Sequence, residues 1–303
     1  MTAGVGHALR SIDDHVEAVV RQLGSALAAE SHHTLTLRLT LLLVVLHGAT
    51  SPFASVVVRV VALLMLVLPS LTHRAALWWL TLGALAASNA DQWEIIDNHQ
   101  YLITYWVLAC TLTVHKPEHL AVNARLLVGI AFGFAVLWKL AAGQYLDGSF
   151  FYVSFFTDGR LQNFAGVFAD GGAAFVKQTS QAIAQVMAYG LDSSTLTIVK
   201  DGGLMTLARG MSWAGLAVET SVAIVHLLPG RRWYALRHLT LMAFVAFTYV
   251  LLPVVGFGFL LGVMGFAQVA DDDQRLKRFY IALLCFLQVS LVPWRNLLAV
   301  PAV

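Results

Sequence analysis

Charged residues are scarce in this sequence. Asp, Glu, Lys and Arg make up 12% of the 303 positions, against 58% hydrophobic residues and a mean hydropathy of +0.73. A soluble domain carries about 25% charged residues. The chain therefore lacks the polar groups needed to cover a water-exposed surface, and we expect the bilayer to be its solvent. The net charge of +2 is too small to indicate binding to nucleic acid.

Cysteine and the common catalytic motifs are also rare or missing. The two cysteines, Cys110 and Cys285, each lie inside an apolar run, and we expect packed thiols rather than a disulfide or a metal site. No nucleophile elbow, P-loop, haem-attachment or zinc-protease pattern is present. The string HKPEH at 115–119 resembles a metal motif only superficially, because Pro117 breaks the helix that would align His115 with His119. We expect no bound metal.

The N-terminal residues 1–33 do not have the pattern of a signal peptide. They contain acidic residues and lack a compact apolar core followed by a cleavage site. Apolar residues instead recur at helical spacing, at Leu9, Ile12, Val16, Val19, Leu23 and Leu27. This stripe predicts an amphipathic cytoplasmic segment that lies on the membrane or caps the bundle.

The rest of the chain, 34–303, predicts an all-α, polytopic membrane bundle. A spanning helix needs roughly 20 mostly apolar residues. By that measure there are about nine spans, at 35–49, 53–72, 75–90, 99–115, 122–143, 204–228, 238–253, 255–270 and 278–294. Pro253 separates the seventh span from the eighth, and a single kinked or re-entrant segment is the alternative there.

The distribution of basic residues predicts the orientation of this bundle. With the N-terminus in the cytoplasm, the inner loops collect Arg74, Lys116, the cluster Arg231, Arg232 and Arg237, and the group Arg275, Lys277 and Arg278, which is the positive-inside pattern. This topology places residues 144–203 on the periplasmic or extracellular side. That segment is too apolar for a disordered linker, so we expect helices that form a lid across the outer face.

Lys139 is the first candidate for chemistry. It lies near the outer end of the fifth predicted span, where its stem could simply extend to water. Alternatively, an apolar pocket walled by Trp138 and Leu140 would strip its ammonium of hydration, and a neutral amine is a usable general base. The residues alone leave both interpretations open.

The string DNH at the outer start of the fourth span forms a second group. Asp97 or Asn98 could accept hydrogen bonds from the free N–H groups of the helix start, which would explain them as caps. Capping does not explain His99, although a lone histidine there is more often structural than catalytic. If the topology holds, this group shares one membrane level with Lys139 and indicates a polar cavity open to the outer side.

Two further ionisable residues lie inside predicted spans. We place Glu219 below the middle of the membrane, where a carboxyl is either functional or a partner for Arg38 or another interior polar group. Arg59 must be paired at such a depth, and its guanidinium could bind an anionic or quinone-like oxygen.

These strings resemble the vitamin K-dependent gamma-carboxylase family and its bacterial relatives, the horizontally transferred transmembrane domain proteins. The similarity covers roughly residues 34–270, including an acidic helix position at Glu219. Its motif residues here are Asp97, Asn98, His99, Tyr101 and Leu102, followed by Lys139, Leu140, Tyr145 and Gly148.

The resemblance implies that Lys139 is the base that deprotonates a reduced vitamin K or menaquinone-type quinol. Molecular oxygen then converts the quinol to its epoxide, and the strong base formed can deprotonate a second substrate for carboxylation by carbon dioxide. Asn98 and His99 would contact the quinol ring and its oxygens, with Asp97, Tyr101, Trp138, Arg59 and Glu219 completing the binding site. The family's large lumenal propeptide-binding domain has no counterpart before Val303, and no later-helix histidine matches securely. Quinol oxygenation is therefore better supported than peptide carboxylation, and a coupled carboxylation of a second substrate stays open.

Three functions compete on this basis. The first is a quinol-dependent oxygenase, or epoxidase, that uses membrane lipid as solvent and a peptide or small molecule as second substrate. The second is a non-catalytic lipid- or quinone-binding membrane protein that assists the export or maturation of a peptide. A transporter is a weaker third, because no inverted repeat and no matched pair of broken helices is visible.

Overall fold

A computed structural model describes residues 30–189, 201–251 and 254–291. Within these ranges the chain is all α-helical and contains no strand, so the predicted all-α class is confirmed. The twelve α-helices are α1 His32–His47, α2 Pro52–Val67, α3 Ala75–Asp91, α4 Asn98–Thr113, α5 Pro117–Ala142, α6 Ser149–Thr157, α7 Gly159–Phe168, α8 Gly172–Tyr189, α9 Gly202–Leu227, α10 Tyr234–Leu251, α11 Val255–Ala267 and α12 Gln274–Val289. The predicted amphipathic helix in 1–33 lies almost wholly outside the described residues.

The helices follow the hydropathy pattern closely. Each of the nine predicted apolar segments contains one α-helix, and the 144–203 segment contains α6, α7 and α8. The helical content expected for that segment is therefore confirmed, although its residues 190–200 lie outside the described ranges. Helix α10 ends at Leu251 and α11 begins at Val255, and Pro253 lies outside the described residues.

Local signals in the sequence fix several helix starts. The Ser31 side chain accepts a hydrogen bond from Thr34 N at the start of α1. Pro52 and Pro117 are the first residues of α2 and α5, where the missing N–H would have no partner within the helix. Asp201 caps α9 by accepting a hydrogen bond from Leu204 N.

By their contacts, the residues divide into two compact units, and unit 1 comprises Met1–Ala121 with Phe266–Phe279. In its described part, α1 packs on α2, α2 on α3 and α3 on α4, and α1 also contacts α4. Trp78 and Trp106 are fully buried in this unit. Their indole N–H groups are satisfied, because Trp106 donates to Thr40 Oγ1 at 2.9 Å and Trp78 donates to Thr72 O at 2.8 Å.

Unit 2 comprises Val122–Gly265 with Tyr280–Val303. Its long helix α9 packs on α6, α7 and α10, while α6, α7 and α8 also pack on one another. The N-terminal half of α9 and these three short helices share one apolar core, which includes Phe155, Phe156, Leu161, Val176, Leu204 and Ala208. The described part of the 144–203 segment is therefore a folded part of unit 2 rather than a linker.

The described helices expose much apolar surface. By length and composition, α5 is the one described helix able to cross a membrane, with 26 residues and a mean hydropathy of 2.0 in its most apolar window. Only 28% of that window is buried, unlike the core helix of a soluble protein. Helices α2 and α11 are apolar but shorter. Exposed side chains on α5 include Ile130, Phe134, Leu137 and Trp138. This surface supports association with a membrane.

Candidate functional site

The amine of Lys139 forms an ion pair with the carboxylate of Glu219 inside unit 2. Lys139 lies three residues before the end of α5, and Glu219 lies eight residues before the end of α9. Lys139 Nζ donates directly to Glu219 Oε1. The two side chains are only 18% and 12% exposed, so both charges are largely removed from water.

Helices α5 and α9 also meet at a second level, away from the ion pair. A Cβ added at Gly129 would lie 2.9 Å from Leu227 Cδ2 and 3.1 Å from Leu227 N, so a larger residue there would force Leu227 to shift. Near the same level, Arg125 Nη1 donates to His226 O at 3.0 Å. The start of α5 therefore lies beside the end of α9, and the two helices are antiparallel.

Tyr145 supplies an aromatic wall for the pair. The Lys139 Nζ atom lies 4.9 Å from the centroid of the Tyr145 ring, within the range of a cation–π contact. That ring is itself stacked on Phe150, with centroids 4.3 Å apart. Burial raises the pKa of the Tyr145 hydroxyl to about 12, and the Glu219 charge contributes to the increase. The sequence assigned no role to Tyr145 beyond its match to the family motif, although it follows Lys139 by only six residues.

A short glycine-bounded turn places Tyr145 against the amine. Gly143 has φ +70° and Gly148 has φ +84°, a left-handed conformation that glycine adopts without strain. Arg209 on α9 holds the turn, because its Nε donates to Asp147 O at 3.1 Å. A hydrogen bond from Ser149 N is the main reason that the pKa of the Asp147 carboxyl is lowered.

The prediction that Trp138 and Leu140 form an apolar wall around Lys139 is wrong. The structure leaves Trp138 75% exposed and Leu140 44% exposed. Adjacent residues on a helix point about 100° apart, so the neighbours of an inward-facing lysine face away from it. Trp138 instead belongs to the exposed apolar surface of α5.

Glu219 is paired with an interior polar group other than Arg38, which is one of the alternatives that the sequence left open for it. The C-terminal half of α9 carries Glu219 to Lys139, whereas its N-terminal half packs on α6, α7 and α8. The suggested partner Arg38 is paired with Glu30 in unit 1.

The second carboxylate oxygen of Glu219 indicates what kind of group the site can bind. Glu219 Oε2 is buried and has no hydrogen-bond partner among the described residues. Buried polar atoms are nearly always hydrogen-bonded, and an unsatisfied one in a native structure needs an explanation. This oxygen can accept a hydrogen bond from a hydroxyl that enters beside the Lys139 amine.

The DNH group lies at the start of α4 in unit 1. Asp97 occupies the cap position, but its side chain accepts no capping hydrogen bond, so the expected side-chain cap is not observed. The Asp97 side chain is 80% exposed, and its Oδ2 lies 3.9 Å from His99 Nδ1. The His99 side chain is only 20% exposed, and His47 is near enough for their charges to interact.

The remaining predicted site residues of unit 1 do not join one cluster. Asn98 is the first residue of α4, and the Tyr101 hydroxyl donates to Trp93 O at 3.4 Å. Arg59 is exposed on α2, and its Nε donates to Val45 O at 3.1 Å. The ion pair expected for Arg59 is therefore absent from the described residues. His99 belongs to unit 1, whereas Lys139 and Glu219 both belong to unit 2.

The Lys139, Glu219 and Tyr145 side chains can together hold and move one proton beside an apolar surface. In the described part of the chain, no three His, Cys, Asp or Glu side chains converge as a metal site would require. Comparisons with protein-family models, with curated proteins and with solved structures find no match to this chain. The chemistry of the site therefore rests on these contacts.

Proposed function

We propose that the chain is a multi-pass integral membrane protein with about nine spans. Its composition and the exposed apolar faces of its helices support this placement. The distribution of arginines and lysines favours a cytoplasmic N-terminus, with Lys139 facing the periplasmic or extracellular side. In this arrangement α6, α7 and α8 form the outer lid.

Within that framework we propose a quinol-dependent oxygenase, or epoxidase, with Lys139 as its general base. The observation that carries the proposal is the buried Lys139–Glu219 pair, in which Glu219 Oε2 has an open acceptor position. A phenolic O–H is a donor of the right type for that position. The ring of a quinol can pack against Tyr145, and its prenyl tail can leave through the exposed apolar surface near Trp138.

A reduced vitamin K or menaquinone-type quinol would give up four electrons on conversion to its epoxide, two of them on the way to the quinone. Consumption of one O2 then balances as one epoxide and one water. The protein's part is to bind the hydroxyl at Glu219 Oε2 and to exclude water from the pair. Lys139 Nζ accepts the hydroxyl proton from the neutral form of the pair, in which the shared proton has moved from the amine to Glu219 Oε1. Asp97, Asn98, His99, Tyr101 and Arg59 are proposed to bind the quinol oxygens or the second substrate, a peptide or small molecule that is carboxylated by carbon dioxide.

Incubation of the purified protein with menaquinol and oxygen tests the activity directly. Mass spectrometry should detect the epoxide, and Lys139→Ala should remove it. Lys177→Ala is the matched control, because Lys177 is an exposed lysine on α8. If Lys139→Ala folds and retains full epoxide formation, Lys139 is not the base.

A non-catalytic quinone- or lipid-binding protein that assists peptide export or maturation is the second candidate. It is favoured by the same ion pair, because Glu219 satisfies the Lys139 amine without any substrate. This role predicts that menaquinol binds and quenches tryptophan fluorescence while no epoxide forms. Binding without epoxide would therefore support the second candidate and reject the first.

A further inference from the structure

The end of α9 opposite the Gly143–Gly148 turn is rich in arginine and lacks acid. The sequence contains no Asp or Glu from 220 to 270, whereas Arg231, Arg232 and Arg237 fall within that stretch. Arg125 on α5 joins them, since it binds the last carbonyls of α9. Four cationic side chains thus gather at one end of unit 2.

Two of these arginines converge on a single backbone oxygen. Arg125 Nη1 donates to Leu228 O at 3.2 Å, and Arg237 Nη2 donates to the same atom at 2.7 Å. Arg237 Nη2 also donates to Gly230 O at 3.0 Å. These acceptors are neutral carbonyls with only the partial negative charge of a helix end, so two full positive charges stay uncompensated.

Both guanidinium groups keep unused N–H donors. Among the described residues, Arg125 donates through Nη1 only, and Arg237 donates through Nε and Nη2. Burial and the charge of Arg125 lower the pKa of Arg237, because each makes the cationic form less favourable. An anion placed beside the two groups would relieve both costs.

The 3₁₀ turn Arg231–Trp233 adds further donors at this end. Arg231 and Arg232 are exposed, and the Arg232 guanidinium lies 5.3 Å from the ring of Trp233. Trp233 Nε1 is buried without a hydrogen-bond partner in the described residues. An indole N–H is a donor only, and it therefore also lacks an acceptor.

Apart from Glu219, which pairs with Lys139, the described acidic residues of unit 2 lie toward the other end. Asp201 caps the start of α9, and Asp147 follows the end of α5. Asp158 and Asp170 belong to the short helices that pack on the start of α9. Since α5 and α9 are antiparallel, none of these four carboxylates can neutralise the arginines at the end of α9.

We propose that Arg125, Arg231, Arg232 and Arg237, with Trp233 Nε1, form a site for the phosphate of an anionic phospholipid headgroup. Guanidinium groups bind phosphate through paired N–H donors, and basic clusters beside a spanning helix attract anionic lipid. Exposed apolar side chains next to the site give acyl chains a contact surface, namely Ile224, Leu227, Leu236 and Leu239. They favour a lipid over a free phosphate ion. The inference depends on the proposed membrane placement but not on quinol chemistry.

Native mass spectrometry of the detergent-purified protein tests this site. The protein is incubated with equimolar phosphatidylglycerol and phosphatidylcholine that carry identical acyl chains. We expect phosphatidylglycerol to be retained over phosphatidylcholine by about tenfold. The double variant Arg231→Gln with Arg232→Gln should bring the ratio close to one, and both residues are exposed, so folding should persist.

The charge-matched control is Arg160→Gln with Lys177→Gln, which removes two exposed cations from the helices at the other end of unit 2. It should keep the lipid preference, as should Lys139→Ala even if epoxide formation is lost. Millimolar inorganic phosphate should leave the bound lipid in place, and displacement by phosphate would overturn the lipid assignment. Equal retention of both lipids by the unaltered protein, or full preference in the Arg231/Arg232 variant, would overturn the site itself.

Discussion

Lys139 and Glu219 are direct partners although 80 residues separate them in the chain. Their contact joins a lysine near the C-terminal end of α5 to an acid in the second half of α9. Both side chains are mostly buried. The pair therefore determines the charge of the proposed site, how the site packs and which acceptor atom a ligand can reach.

Removal of one partner should destabilise the fold more than removal of both. Lys139→Met leaves the Glu219 carboxyl buried without its cation and should cost about 3 kcal/mol of unfolding free energy. Lys139→Met combined with Glu219→Leu should recover most of that loss, because two apolar side chains replace two buried charges. Thermal unfolding in detergent measures both variants. A double variant less stable than Lys139→Met would contradict a direct coupling of the two side chains.

Alkaline pH should lower the free energy of unfolding, in part because of the Tyr145 hydroxyl. Its pKa is raised to about 12, whereas an unfolded tyrosine ionises near 10. Between these values the unfolded chain has lost the proton and the folded chain retains it, so stability is present below pH ~10 and falls as the pH rises toward 12. Tyr145→Phe should flatten this part of the stability profile. An unchanged alkaline profile in Tyr145→Phe would show that this hydroxyl is not protected by burial.

Gly148→Ala should destabilise the turn that carries Tyr145. The new Cβ would lie 2.7 Å from Arg209 Cγ and 2.9 Å from Arg209 N, at a φ of +84°. We expect a loss of about 2–3 kcal/mol. Gly215→Ala in α9 is the control, since a Cβ added there would meet no atom within 4 Å. That control should be neutral or stabilising by about 0.5–1 kcal/mol, and an equal loss in both variants would refute the steric argument.

His99→Gln should reduce epoxide formation if the imidazole binds the quinol. The His99 side chain is 20% exposed, whereas the His119 side chain is 61% exposed at the start of α5. Loss of a positioned acid–base or hydrogen-bonding group typically costs ~100-fold or more in rate. His119→Gln should leave the rate unchanged. Equal rates for the two variants would remove His99 from the site.

Asp201→Ala should loosen the packing of the short helices on α9. Asp201 accepts hydrogen bonds from Leu204 N at 2.9 Å and from Asp170 N at 2.8 Å. Losing both should cost about 2–3 kcal/mol. Asp158→Ala, which removes the cap of α7 and an exposed ion pair with Arg160, should cost about 1 kcal/mol. Hydrogen exchange in 149–189 should accelerate for Asp201→Ala, and unchanged exchange there would contradict this role.

Hydropathy was sufficient to predict where the helices lie. The apolar runs became α1 to α5 and α9 to α12, because helix formation satisfies the backbone within each run. Proline and polar residues between the runs then determined the boundaries. The aromatic and Gly/Ala-rich composition of 144–203 likewise indicated helices, and three are present there.

Hydropathy did not predict which helices that are distant in sequence contact each other. The partner of Lys139 depends on how far α9 extends past the end of α5, which the length of an apolar run does not determine. Trp138 was misplaced for a simpler reason, since sequence adjacency to Lys139 was taken as spatial proximity on a helix.

The short turn from Gly143 to Gly148 links two parts of unit 2 mechanically. It carries Tyr145 over the amine, and Arg209 anchors it through Asp147 O just before α6 begins. If α6 swings away from α9, the aromatic ring must travel with it and uncover the amine. The same movement of α6 therefore opens access to Lys139 and separates the short helices from α9.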